Sequence, residues 1–161
     1  MEGGRIMGTS TDADIAYGID LGDDLYEMPW VSEDTEDDGD IEKWWLRECG
    51  YKDLYDDLWT EEGDYGEGYT NEKNKENYAH KTKFMESHPC PVELHIHCSY
   101  DCPMYILAVK ETTMSASRGY AVEFSPEDLK FKDEDKVAFD NFLKKYKIEG
   151  KPTWLLYSLW G

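Results

Sequence analysis

Residues 23–67 carry eighteen carboxylates against three bases, Lys43, Arg47 and Lys52, a local net charge of −15. An ionised carboxylate cannot be buried without a partner, so whatever this stretch folds into must keep a broad face in water. The flanking sequence is different. Residues 1–22 have a net charge of −3, and residues 68–161 hold fourteen acids and thirteen bases, net −1. The total of −19 is therefore one acidic segment attached to a nearly neutral body. That body can bury a core, because 40% of the 161 residues are hydrophobic and 14% aromatic, about one domain's worth of chain. Direct binding to DNA, RNA or anionic lipid is disfavoured, since those polymers are held by Lys and Arg neutralising phosphates.

Apolar residues recur at helical spacing inside the acidic segment. Ile41, Trp44, Trp45 and Cys49 share one face of a short helix with Asp40 as N-cap and Gly50 as a stop. Tyr51, Leu54, Tyr55 and Leu58 predict a second helix. Its polar face would present Asp53, Asp56 and Asp57, with Glu61 and Glu62 just beyond. Asp53 and Asp57 would then stand roughly 6 Å apart along the axis. Like charges at that spacing cost a few tenths of a kcal/mol per pair, a cost consistent with a surface kept for a partner. The candidate partner-binding set is Asp37, Asp38, Asp40, Asp53, Asp56, Asp57, Glu61, Glu62 and Asp64. Closely spaced carboxylates could occupy a basic groove as DNA phosphates do, or dock on another basic protein. The bland alternative is a solubilising surface.

Elsewhere, Ile15, Tyr17, Ile19 and Leu21 alternate as one face of a strand. Residues 63–71 are Gly-rich and polar, a mobile loop by composition, and a polar helix over 72–86 follows. Val92, Leu94, Ile96 and Cys98 alternate as the inward side of a strand, joined by the turn at 99–103 to an apolar run over 104–109. Residues 118–124 suggest a third strand. Ser125, Pro126 and Asp128 form a helix-start signature. Phe139, Phe142, Leu143 and Tyr146 mark a C-terminal helix, and residues 154–160 a buried last strand. The expected fold is α+β, an antiparallel sheet of four to five strands with helices on one face and an acidic helical insertion near the N-terminus. Residues 1–12 are expected to be disordered or tag-like and 13–161 to form a single domain.

Two metal patterns require weighing. His88, Cys90, Cys98 and Cys102 are the candidate zinc ligands, with Cys98 and Cys102 flanking a hairpin turn. His95 and His97 alternate away from Cys98, so the whole His/Cys cluster cannot converge; the competing reading is a buried Cys98 with half-exposed histidines. Residues 34–45 have the early rhythm of an EF-hand loop, with Gly39 sixth and Ile41 eighth. Trp45 stands twelfth, where a bidentate Glu is needed, and Pro29 interrupts the incoming helix, so only nonspecific cation binding is expected. Nothing marks an activated cysteine, and the expected class is non-enzymatic. No leader-like apolar run opens the chain, and the longest apolar stretch, the seven residues 154–160, falls short of the roughly 20 a membrane helix needs. The expected location is the cytosol, with reduced cysteines.

Ile15-Ala16-Tyr17-Gly18-Ile19-Asp20-Leu21-Gly22, with the Asp/Glu/Trp-rich stretch after it, resembles small acidic proteins encoded by bacteriophages and prophages. The resemblance implies host-takeover or counter-defence work, such as a DNA mimic acting on CRISPR, restriction or nucleoid proteins. The alternatives are a small zinc protein, or an interaction module in which the 63–71 loop and exposed aromatics make hydrophobic contact while charge serves solubility.

Overall fold

The computed structural model describes residues 11–23, 25, 28–31, 40–58 and 68–160, with the side chains of Thr11 and Asp57 outside that description. The Met1–Ile6 segment and most of the expected 1–12 terminus also lie outside it, although β1 already begins at Thr11. The elements in chain order are β1 (Thr11–Gly22), α1 (Ile41–Glu48), α2 (Asn71–Ser87), β2 (Val92–Ser99), β3 (Pro103–Val109), β4 (Met114–Ala116), α3 (Asp133–Tyr146) and β5 (Thr153–Trp160). They form two compact units, one of residues 1–35 with 91–161 and one of residues 36–90.

The first unit is α+β, as expected, but its five-stranded sheet is mixed and closes into a small barrel. β1 pairs along one edge with β5 and along the other with β3 and β4. β3 pairs with β2, whose end runs parallel to β5 at Cys98↔Leu159 and Ser99↔Trp160. That parallel pair completes the ring and corrects the all-antiparallel expectation. Closing a sheet this small makes backbones crowd where β1 passes from β5 to β3. Gly18 stands at that point, opposite Ala108 on one side and Thr153 on the other. A Cβ there would lie 2.1 Å from the Leu107 carbonyl oxygen.

β3 and β4 lie along one edge of β1 as an interrupted strand, with Ala108 opposite Gly18 and Met114 opposite Ile15. The extra residues between them form a bulge, in which Glu111 adopts φ 65°. The buried Thr112 side chain repairs the ladder at the gap. Its Oγ1 accepts from the Tyr17 N–H at 3.2 Å and donates to the Val109 carbonyl at 2.7 Å.

Four consecutive residues of β3, Ile106, Leu107, Ala108 and Val109, are buried, so both faces of the strand are covered. One face packs Ile106 and Ala108 with Ala16 and Tyr157. Across the other, Ile19 pairs with Leu107 and Val92 with Val109. α3 packs on β3 and buries Phe139, Phe142 and Leu143, with Trp30 against Phe142 at 6.3 Å. Burying one Phe or Leu side chain is worth about 1.5–3 kcal/mol.

Three sequence expectations change here. Residues 118–124 form no strand, and Val122 and Phe124 are exposed. Ser125 begins only a turn, although the Asp128 carboxylate accepts from both its N–H and its hydroxyl as in a capping box. Phe131 then turns onto Tyr17 and Trp154, at 4.8 and 6.0 Å, and α3 starts after it with Lys132 as N-cap. β5 is a strand but not a buried one, since Leu156 is 78% and Trp160 59% exposed.

Gly18→Ala should lower stability by about 3 kcal/mol, the upper range for overpacking, because the obstructing atoms are backbone. A urea unfolding midpoint equal to wild type would show that the crossing relaxes freely.

Candidate functional site

In the 36–90 unit, α1 forms as its periodicity predicts. Asp40 caps it by accepting from the Lys43 N–H at 3.0 Å, and Ile41, Trp44 and Leu46 are buried. Trp45 and Cys49, expected on the same apolar face, are only half-buried, and Leu46 takes their place. Gly50, at φ 85°, ends the helix in a Schellman turn, with Gly50 N–H to Arg47 and Tyr51 N–H to Leu46 carbonyls.

The expected second acidic helix does not form; residues 56–58 make only a 3-10 turn. The competing interaction comes from α2. Asn77 there is buried and its Oδ1 accepts from the Leu54 N–H at 2.9 Å, while its Nδ2 donates to Asp53 Oδ1 at 2.8 Å. Asp53 also accepts from the Tyr51 hydroxyl at 3.0 Å. Tyr51 in turn stacks on His80 and packs against Phe84. Asp53 is thus a half-buried structural acceptor, not one of a row of outward carboxylates.

Of the other proposed partner-binding residues, Asp40 and Asp56 are exposed, and Asp57 lies in the 3-10 turn with its side chain undescribed. Asp37, Asp38, Glu61, Glu62 and Asp64 lie outside the described residues, as does the 34–39 half of the EF-hand-like stretch. Within the loop expected over 63–71, residues 63–67 are likewise outside, but its end is tied down. Thr70 caps α2, and Lys73 donates to the Gly68 carbonyl at 2.8 Å while its ammonium lies 5.2 Å from the Tyr55 ring. Tyr55 donates to Glu76.

The same unit contains a cleft of about 310 Å³ that charge counting did not reveal. Lys43, Arg47, Lys52 and Lys81 line it with Asp53 and Asp56. All three bases of the acidic segment meet there. Their isolation among carboxylates was visible in the sequence; their convergence with Lys81 required the fold.

Among the described residues, no three His, Cys, Asp or Glu side chains are grouped to hold a metal. His88 closes the end of α2, its Nδ1 within 3.1 Å of the Phe84 carbonyl and its ring stacked on Phe84. Cys90 is buried, whereas Cys98 and Cys102 are exposed. The expected inward Cys98 is thereby corrected. Val92 is fully buried and Leu94 half-buried, but Ile96 is 41% exposed, so the cover on that face ends along β2, and Cys98 adopts φ 72°.

The other face of β2 carries a polar cluster that sequence reading missed. The Thr113 hydroxyl donates to Glu93 Oε1 at 2.7 Å, and His95 Nε2 lies 3.0 Å from Glu93 and 3.1 Å from Thr113. Burial pushes the Glu93 carboxyl up, but hydrogen bonds from His95 and Thr113, with the charges of His95 and Lys110, outweigh it and leave the group below its usual range. His95 and His97 flank Tyr157 at 5.9 and 5.8 Å. Burial first, then the Asp14 and Glu93 charges, pushes the Tyr157 hydroxyl up to about 12 against an opposing contribution from Thr113. That hydroxyl and His97 Nε2 complete no hydrogen bond of good geometry among the described residues. Asp20 stands 3.9 Å from His97. The cluster brings a carboxylate, an imidazole and a hydroxyl within hydrogen-bond distance of one another.

An apolar cleft of about 310 Å³ opens elsewhere on the barrel unit, lined in part by Ile15, Met114, Val122, Phe124 and Leu156. Among the described residues, no helix is long and apolar enough to cross a membrane. No protein-family model, curated protein or solved structure matches the chain.

Two outcomes test these assignments. Asn77→Ala should cost about 2 kcal/mol, because it strips the Leu54 N–H and Asp53 of a buried partner; urea denaturation measures it. Glu93 has a lowered folded-state pKa, so its stabilisation is present above the ordinary carboxyl value of 4.5 and is lost as pH falls through the lower folded value. Glu93→Gln should flatten the acid limb of a stability-against-pH curve, and an unchanged limb would remove Glu93 as its source.

Proposed function

We propose that this chain is a non-enzymatic acidic inhibitor or modulator that binds a basic nucleic-acid-binding protein through the 23–67 segment. The reading carries with it a phage-encoded DNA mimic acting on host CRISPR, restriction or nucleoid machinery in the bacterial cytosol. The observation that supports it is the local excess of eighteen carboxylates over three bases. A basic groove that normally receives phosphates would gain the same counterion release from such a surface.

Hydrophobic recognition is the second reading, favoured by the exposed Val122, Phe124 and Leu156 beside the apolar cleft. Salt separates the two. A partner captured by the full chain from bacterial lysate should lose at least about tenfold in affinity between roughly 50 and 200 mM salt. Capture should also fall when Asp56→Asn, Asp57→Asn, Glu61→Gln, Glu62→Gln and Asp64→Asn are combined. Asp53 stays unchanged in that variant because its carboxylate holds Tyr51 and Asn77. Retention of the partner at high salt, or by the neutralised variant, would overturn the acidic reading.

A further inference from the structure

An apolar strip crosses three neighbouring strands of the barrel, because Ile15 of β1 is paired with Leu156 of β5 on one side and with Met114 of β4 on the other. Directly opposed residues point to one face of a sheet, so these three side chains lie in a row. Asp14 and Ser115, the next pair along, point to the other face, where the Asp14 charge acts on Tyr157. After β4 the chain reverses. The Tyr120 N–H donates to the Ser117 carbonyl at 3.0 Å, and Gly119 takes φ 85°. The reversal sets Val122 and Phe124 beside the strip, and the space between them is the apolar cleft of about 310 Å³. That volume matches the lower end of small-molecule sites, about 300 Å³. A stable protein interface covers about 800 Å² per partner, well beyond what these few side chains offer. Leu156, Phe124 and Val122 are each more than half exposed, so a small apolar molecule seated here would take their surface out of water.

The rim of the cleft carries charge of one sign. Among the described residues no Lys or Arg lines it, whereas Glu123 and Asp128 do. Glu123 makes no hydrogen bond or ion pair among the described residues. Asp128 accepts from the Ser125 N–H and hydroxyl through Oδ2 alone, at 2.6 and 2.9 Å, which leaves Oδ1 for another donor. Those bonds, the backbone one first, hold the carboxyl below its usual range, so it is ionised at neutral pH. Lys130, the base nearest in sequence to Asp128, is paired with Glu127 at 2.6 Å. Arg5 is the one Lys or Arg outside the described residues, so no more than one further basic side chain can offset this pair. Phe124 adds a ring whose face attracts cations. An apolar floor, an aromatic wall and two carboxylates on the rim complement a molecule with a hydrocarbon body and one positive end. We infer that the cleft between β4 and residues 122–124 binds a small amphiphilic amine, its apolar body on Ile15, Met114 and Leu156 and its ammonium on the Glu123 and Asp128 carboxylates. The inference rests on neither reading above, since it uses no residue of 23–67 and assigns the cleft a small molecule in place of a protein.

Amide NMR of the full chain titrated with phenethylamine, 2-phenylethanol and ethylamine tests it. Phenethylamine should shift residues of β1, β4 and 122–128 saturably with a Kd of about 1 mM or tighter. The neutral alcohol should bind at least threefold more weakly, and ethylamine, which keeps the charge and lacks the ring, at least tenfold more weakly. The double variant Phe124→Ser, Leu156→Ser should lose at least tenfold for phenethylamine while its amide spectrum stays dispersed. Glu123→Gln should weaken phenethylamine at least twofold and leave 2-phenylethanol unchanged. Absence of saturable binding, shifts confined to residues 23–67, or affinity unaltered in the double variant overturns the site. Equal affinity for the amine and the alcohol overturns the amine assignment.

Discussion

The barrel depends on the close approach of two backbones at Gly18. β1 serves as the shared strand of the ring, pairing with β5 through its first half and with β3 through its second. At the handover a side chain of any size would meet the Leu107 carbonyl. Small residues at Ala16 and Ala108 follow from the same crowding, and so does the bulge between β3 and β4, which lets one edge of β1 be served by two short strands. Thr112 then becomes necessary, because the bulge would otherwise leave the Tyr17 N–H without a ladder partner. The bulge also brings Thr113 to Glu93 and His95, so a polar cluster grows out of a geometric constraint on the sheet.

In the 36–90 unit the organising interaction is chemical. Asn77 uses both ends of its amide, accepting from a backbone N–H and donating to Asp53. With one side chain it decides that residues 51–55 are not helical and where Lys52 and Asp56 emerge. Carboxylate and cation placement in this unit therefore share one origin, and a change at residue 77 would disturb both sets together.

Local period made α1, the β2–β3 hairpin and the buried residues of α3 legible in the sequence, since each depends on spacing within a few residues. What was not legible depends on distant partners. Nothing near Tyr51 announces that Asn77 will take the Leu54 N–H, so the pattern there reads as a helix. The Ser125 signature is genuine but terminates because Phe131 is drawn to Tyr17 and Trp154. Alternation along β2 identified its two faces, yet which one meets Tyr157 is set by ring closure. Charge counting located the acidic segment and could not see that its three bases converge, because Lys81 lies 29 residues beyond Lys52.

The exposed apolar cleft has a colloidal consequence. Leu156 at 78%, Phe124 at 61% and Val122 at 53% exposure would make a sticky patch on a neutral protein. At a net charge of −19, long-range repulsion between molecules keeps such patches from meeting. Near the sequence pI of about 4.4 that repulsion vanishes while the patch persists. The charge that could engage a basic partner is thus also what lets the barrel leave these side chains uncovered, and full neutralisation of the chain by such a partner would bring the patch into play.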